Sequence, residues 1–251
     1  MEECKMKKLI AMLLVLAMAA CLFGCTIADS GKTTTAATTE ATTTEATIDE
    51  SIMSYDEYAA AELDSEVTVS FTVQATQSWW DDKVTVYGQD KDGGYLAYNM
   101  ACTKEDAAKL VGSVIKVTGY KAEFEGEVEL AEGATFEFVE GAEPFTAEAI
   151  DLTDKMASDE IINYQNQLAA FKGLTVKAIS FKNDGGDDIY LTLTKDGQDY
   201  NFCVERYLTA PETEVYTTAA ALQAGDVIDV EGFVYWYQGM NPHITAIAVA
   251  E

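Results

Sequence analysis

The sequence predicts a mainly β protein that contains two tandem copies of one unit. An aliphatic segment occurs twice, at 110–120 and 222–233, and its two glycines recur at one offset, since 225 − 112 and 232 − 119 both equal 113. Apolar and polar residues alternate over 67–74, which is the pattern of a half-buried strand. The same order of predicted elements follows in each copy, so the repeat sets the register of one copy against the other.

The first copy, predicted to span 54–142, has a local signal for each element. Ser54 and Glu57 have the spacing of a helix capping box, and Thr103 caps a second short helix that continues to Leu110. Three strands precede the second helix and two follow it, and we expect the last to break near Glu132 and Gly133. The predicted strands are 67–74, 84–87, 95–100, 110–120 and 127–139.

The second copy, predicted to span 159–251, follows an inter-domain linker at 143–158 that contains Pro144. Its first element is predicted to be a helix over 159–170, ended by Gly173. A short helix over 218–222 again lies between the third and fourth strands. The predicted strands are 174–179, 189–193, 200–204, 227–237 and 243–249.

One motif carries a resemblance to a known fold. The first copy reads IKVTGY at 115–120 and FEG at 124–126, and the second reads IDVEGF at 228–233 and YQG at 237–239. An aliphatic strand with an internal glycine, followed by an aromatic-x-glycine turn, resembles bacterial OB-domains. The resemblance implies two tandem five-stranded OB-like Greek-key barrels, each with a helix between strands three and four.

The physical argument beside this resemblance concerns Gly119 and Gly232. A glycine inside a strand commonly marks a sharp bend such as a barrel corner. Two small β-sandwiches are the structural alternative, because short strands separated by turns are also typical of that architecture.

The first 24 residues predict that the protein is exported. Residues 5–8 are mostly basic and 9–20 form an apolar run, which is the layout of an export signal and too short for a membrane span. The segment LFGC at 22–25 resembles the lipobox of bacterial lipoproteins. The resemblance implies a signal peptide at 1–24, a diacylglycerol on the sulfur of Cys25, and anchoring to the outer face of a Gram-positive-type plasma membrane. Cys21 is the rival lipidation site, and a plain secretory peptide is the remaining alternative.

The segment 25–53 predicts a disordered tether behind that anchor. Ten of the residues 26–50 are threonine and none is aromatic. Such a composition buries too little apolar surface to offset chain entropy. We therefore expect the folded copies to be held away from the membrane.

Charge and residue types exclude several kinds of function. The net charge of −27 disfavours nucleic acid as a partner, because the field repels phosphates. His243 is the single histidine, and the five cysteines have no zinc spacing, so neither structural zinc nor a serine–histidine catalytic set is expected. No cofactor is predicted besides the lipid. Cys102 and Cys203 are interpreted as buried thiols, with a disulfide between them as the alternative.

Aromatic residues at the loop rims are the candidate ligand-binding residues. Trp79 and Trp80 lie in the loop between strands one and two of the first copy, and their adjacency predicts that at least one is exposed. Tyr235, Trp236 and Tyr237 approach the turn between strands four and five of the second copy. On OB-folds these loops and the face of strands two and three meet the ligand. Tyrosines on those strands are further candidates: Tyr87, Tyr95, Tyr98, Tyr190 and Tyr200.

The sequence thus predicts a surface-anchored, non-enzymatic binding lipoprotein whose ligand is an extracellular glycan, peptide or protein. The alternative is an extracellular single-stranded nucleic-acid-binding OB protein, which would need Lys or Arg beside its aromatic residues. Asp90 and Asp92, with 184–188, are oxygen-rich turns that raise the question of calcium. Hairpin geometry explains them equally well.

Overall fold

The structure is a computed structural model that describes residues 49–183 and 186–250. The predicted signal peptide, the lipidation site Cys25 and nearly all of the threonine-rich tether lie outside the described residues. Residues 48–251 cluster as one compact unit. This unit is mainly β and contains two six-stranded sheets, one from each predicted copy.

The first sheet closes on itself as a five-stranded barrel with one extra strand. Its order is β1-β2-β3-β5-β4-β6, and β1 also pairs with β4. All pairs are antiparallel except β3 with β5, which joins Ala97 to Leu130. The fifth strand is interrupted near Gly133, as predicted. The elements are α1 Tyr55–Ala60, β1 Glu66–Thr76, β2 Lys83–Gln89, β3 Gly94–Ala101, α2 Lys104–Ala107, β4 Val114–Phe124, β5 Glu127–Leu130 and β6 Thr135–Phe138.

The second sheet has the order β11-β12-β10-β9-β8-β7, and β11 also pairs with β8. The one-residue pairing of β10 with β12, Cys203 with His243, is parallel. The elements are β7 Ile150–Asp151, two 3-10 helices at Thr153–Lys155 and Asp159–Tyr164, β8 Leu168–Phe181, β9 Ile189–Lys195, β10 Gln198–Val204, α3 Glu214–Ala221, β11 Val227–Phe233 and β12 His243–Val249.

The predicted helix over 159–170 is wrong. The chain forms a 3-10 helix only to Tyr164 and enters β8 at Leu168, and this strand continues through Gly173. Ala169 and Ala170 pair with β7 on one side and with β11 on the other. Pairing between distant strands therefore overrides a local pattern that favours helix.

The segment predicted as the inter-domain linker is attached to both sheets. Thr72 and Gln74 of β1 hold its first part: Phe145 N donates to Thr72 Oγ1 over 2.8 Å, and Ala147 N donates to Gln74 Oε1 over 3.1 Å. Its second part contains β7, which belongs to the second sheet. The two halves of the folded unit, which correspond to the two predicted copies, are therefore joined by a structured segment.

Gly119 and Gly232 allow neighbouring groups to approach their strands closely, and this role is clearer than a role in bending the strands. A Cβ at Gly119 would lie 2.7 Å from Ala134 Cβ, and one at Gly232 would lie 2.3 Å from the carbonyl oxygen of His243. The β11–β12 ladder shifts register between Glu231 and Gly232, whereas the β1–β4 ladder is regular through Gly119. Only the second glycine thus coincides with the expected irregularity.

The halves share a third apolar cluster besides their own cores. Tyr87 and Leu96 of the first sheet and Phe233 of the second are buried together, with Leu168 and Tyr235 packed against them. The rings of Tyr87 and Phe233 stack with centroids 4.7 Å apart. This cluster brings β2 and β3 of the first half against the end of β11.

Candidate functional site

A cleft of about 650 Å³ opens beside this shared cluster and draws residues from both halves. Gln77 and Tyr98 come from the first half. The second half contributes its strand faces at β9 and β10 and the whole turn that follows β11. The turn residues that line the cleft are Tyr235, Tyr237, Gln238, Gly239, Met240 and Asn241.

His243 forms part of the cleft and connects the two halves. Its Nδ1 lies 2.7 Å from the hydroxyl of Tyr87, and its ring stacks on Tyr235 with centroids 4.0 Å apart. Complete burial lowers the pKa of His243 to about 3, so the imidazole is neutral. A neutral ring held on both sides is a structural support for Tyr235.

Three tyrosines present open ring surface in this region. Tyr98 is 42% exposed, Tyr190 38% and Tyr237 48%. Tyr98 lies on β3, Tyr190 lies on β9, and Tyr237 follows β11 in the turn between strands four and five of its half. A tyrosine ring offers a stacking face together with a hydroxyl. The cleft therefore suits a ligand that has flat rings and polar edges.

Two acidic side chains lie deeper in the cleft. Asp188 accepts hydrogen bonds from Lys182 Nζ over 3.0 Å and from the backbone N of Arg206 over 3.1 Å. Glu205 accepts from the backbone N of Leu208 over 2.8 Å, and burial raises the pKa of its carboxyl to about 6. The described residues that line the cleft include no Lys or Arg, but the ammonium of Lys182 pairs with the lining residue Asp188.

The aromatic-x-glycine turns of the two copies touch each other. Gln238 N donates to the carbonyl oxygen of Glu125 over 2.8 Å, and its side-chain Nε2 donates to Glu125 Oε2 over 2.9 Å. The exposed rings of Phe124 and Tyr237 lie 6.2 Å apart. Both pairs join equivalent repeat positions, because 238 − 125 and 237 − 124 equal 113. The repeated motif thus fixes one rim of the cleft.

Of the candidates in the first copy, Tyr98 lines the cleft, whereas Trp79, Trp80 and Tyr95 do not. Trp79 donates from Nε1 to the carbonyl oxygen of Cys102 over 2.9 Å and is half-buried against the first barrel. Trp80 is 69% exposed, so the expectation of one exposed indole agrees with its position. Tyr95 was wrongly predicted to bind ligand, because its ring is only 1% exposed and stacks on Phe71 in the barrel core.

The predicted residues of the second copy do lie at the site. Tyr235 and Tyr237 line the cleft, and Trp236 lines a neighbouring cavity. The sequence did not indicate Glu205 or His243 as site residues, and it indicated Asp188 only as part of the oxygen-rich turn 184–188. The signal available for His243 was its place as the only histidine, at the start of the last strand.

The structure also bears on the questions of metal binding, membrane spans and the two cysteines. Among the described residues, no group of three or more His, Cys, Asp or Glu side chains could hold a metal, and no helix reaches the length and apolarity of a membrane span. Asp90 accepts from the backbone N of Asp92 and Gly93, as in a hairpin turn. Cys102 and Cys203 are free, buried thiols.

No protein-family model matches the sequence, and no curated protein matches it. Solved structures do match in part. A murine DNA-binding protein bound with double-stranded DNA is 11% identical with a TM-score of 0.37, covering 73% of this chain and 96% of that one. The Ifi202 HINa domain in complex with a 20-base-pair double-stranded DNA is 11% identical with a TM-score of 0.35, covering 74% and 98%.

A replication protein A heterotrimer bound to single-stranded DNA is also 11% identical, with a TM-score of 0.30, covering 77% of this chain and 51% of that one. Likeness at this level identifies no family and assigns no ligand to this chain. The prediction that nucleic acid is an unlikely partner is corrected, since the matched structures are DNA complexes and the prediction rested on net charge alone. Net charge describes the summed field of a chain and does not describe one cleft.

Proposed function

We propose that both halves are OB-fold barrels and that the protein is a non-enzymatic binding protein for single-stranded nucleic acid. The strand pairing supports the fold, because β11 pairs with both β12 and β8 in the same way as β4 pairs with both β5 and β1. The parallel pairs β3–β5 and β10–β12 occupy equivalent places. The helices α2 and α3 lie between strands three and four of their halves, as the OB-fold requires.

The observation that carries the function is the set of open tyrosine rings around one cleft. Tyr98, Tyr190 and Tyr237 lie on the strand faces and the 4–5 turn where OB-folds meet oligonucleotides and oligosaccharides. Base stacking on an aromatic ring contributes about 1–3 kcal/mol per base and tolerates every base. Such stacking gives a site that binds a strand through its bases.

The acidic lining is compatible with bases that point inward. A carboxylate accepts hydrogen bonds from exocyclic amino groups, as Glu and Asp do from cytosine N4. On this proposal Asp188 and Glu205 act in this way, while the ammonium of Lys182, which pairs with Asp188, is the cation next to them. With few cationic contacts, we expect affinity to fall only weakly with added salt.

Fluorescence anisotropy with a labelled single-stranded oligocytidylate at physiological salt tests the proposal. Tyr98→Ala and Tyr190→Ala should each weaken binding about tenfold, because each removes one stacking surface. Tyr120→Ala is the matched control, since this tyrosine is 56% exposed and lines neither cavity. Absence of binding at micromolar protein would refute the nucleic-acid function.

A neutral oligosaccharide is the second candidate ligand. The lack of Lys and Arg among the described residues that line the cleft favours it, because an uncharged polymer needs no counterion. Sugar rings also stack on tyrosine and satisfy carboxylate acceptors. A glycan array run with wild type and Tyr190→Ala separates the two candidates, as retention of a glycan that the variant loses would favour this one.

The lipid anchor is a separate part of the proposal, supported by the lipobox resemblance at Cys25. On this proposal the chain is a lipoprotein on the outer face of the plasma membrane. Mass spectrometry of membrane fractions should detect a diacylglyceryl-modified peptide that begins at Cys25. Lipid on Cys21 would shift the site, and an unmodified mature protein in the medium would contradict anchoring.

A further inference from the structure

A second cavity continues the tyrosine cleft along the second half. It has a volume of about 510 Å³, and Asn201 and Met240 line both cavities. Its floor contains the half-buried rings of Tyr200 and Trp236. Its far wall is the segment around the second 3-10 helix, where Ile162 is 40% exposed. The two shared lining residues place the cavities side by side, and we call the pair the groove.

The second ring position is held rigidly by the first half. Trp236 N donates to Glu127 Oε2 over 2.7 Å, and Glu127 is completely buried. The indole lies so near Gly126 that a Cβ there would be 2.6 Å from its Cδ1. On its other side Trp236 forms a β-bridge with Met240. A ring fixed before binding loses little conformational entropy when a ligand stacks on it.

We propose that Trp236 and Tyr200 form a second stacking station, so that the ligand is an extended strand that occupies both cavities. This inference rests on the nucleic-acid function proposed above and adds its length requirement. The first station, formed by Tyr98, Tyr190 and Tyr237, takes one end of the strand. The segment between β7 and β8 takes part in binding, because residues 156–159, 161 and 162 wall the second station.

Strand length separates the two stations experimentally. The whole folded chain is titrated with oligocytidylates of about 4 and about 12 nucleotides, a range that spans known OB-fold site sizes. The longer strand should bind at least about tenfold more tightly than its extra length alone predicts. Tyr200→Ala and Ile162→Ala should lose that advantage, while binding of the short strand stays within about twofold, since both residues line the second cavity and not the first. Tyr120→Ala should change neither affinity.

Tryptophan fluorescence gives an independent readout at the second station. The chain has three tryptophans, and only Trp236 lies in the groove. The long strand should quench part of the emission, and Trp236→Phe should remove that part while the fold is retained by circular dichroism. The short strand should cause little quenching.

The outcomes distinguish failure of the second station from failure of the proposed nucleic-acid binding. If neither strand binds, the proposed function fails and the second station fails with it. If both bind but Tyr200→Ala and Ile162→Ala behave like Tyr120→Ala, the function stands and the second station is overturned. Quenching that persists in Trp236→Phe also overturns it.

Discussion

The two halves use equivalent surfaces in opposite ways. On the first half, Tyr87 and Leu96 of β2 and β3 are buried under the second half. On the second half, Tyr190 of β9 remains open at the cleft. Tyr98 of β3 is still open at the cleft, so part of this face of the first half packs against the second half and part lines the cleft. The two halves therefore contribute unequal surfaces to the cleft.

The largest effect on stability should come from disrupting the apolar cluster that the two halves share. Phe233→Ala removes a ring that is 2% exposed and stacks on Tyr87, and comparable core truncations cost about 3–5 kcal/mol of unfolding free energy. Its repeat equivalent, Tyr120, is 56% exposed, so Tyr120→Ala should change stability by less than about 0.5 kcal/mol. Urea unfolding of both variants measures the difference. Equal costs would mean that the halves are not held by this cluster.

The next effect is a pH dependence of stability that arises from Glu129 on β5. Glu129 is 8% exposed, and burial raises the pKa of its carboxyl from 4.5 to about 7. A raised carboxyl pKa means that the folded state binds the proton more tightly than the unfolded state. Its contribution is therefore fully present below pH 4.5 and is lost as pH rises through 7.

Glu129→Gln should remove that dependence. Relative to wild type, the variant should gain up to about 3 kcal/mol at pH 8 and nothing at pH 4, since each tenfold change in proton affinity is worth about 1.4 kcal/mol. Thermal unfolding at both pH values measures it. Glu123→Gln, an exposed residue on β4, is the control and should show no such change between the two pH values. A parallel shift of Glu129→Gln at both pH values would contradict the assignment.

The smallest effect compares two glycines at equivalent turn positions. Gly126 and Gly239 both have positive φ, at +93° and +144°, so alanine strains both turns. Only at Gly126 would the added Cβ also collide, with Trp236, whereas nothing lies within 4 Å at Gly239. Gly126→Ala should therefore be about 1–2 kcal/mol more destabilising than Gly239→Ala by urea unfolding. The reverse order would place Trp236 elsewhere.

Local sequence patterns predicted much of the fold. The capping box at Ser54, the period-two strands and the break near Gly133 depend on neighbours within a few residues, and the structure confirms them. The helix predicted over 159–170 was wrong because the backbone at Ala169 and Ala170 pairs with strands β7 and β11. Tyr95 was misassigned because alternation says that a strand has two faces without saying which is inside.

The candidate site was predictable only in part. Tyr235, Trp236 and Tyr237 stood out because three adjacent aromatic residues on a rim cannot all enter one core. Glu205 and Asp188 gave no such signal in a chain with 43 acidic residues, since burial rather than identity distinguishes them.

The sequence by itself determined the duplication, the strand order within each half and the contact-forming turns, because these follow from spacing and side-chain alternation along the chain. Tertiary structure alone decided which surfaces of the two halves pack together and which line the cleft. That choice depends on how Tyr87 meets Phe233 and His243, which lie 146 and 156 positions further along the chain (233 − 87 and 243 − 87). Contacts between surfaces so far apart in sequence leave no local pattern to read.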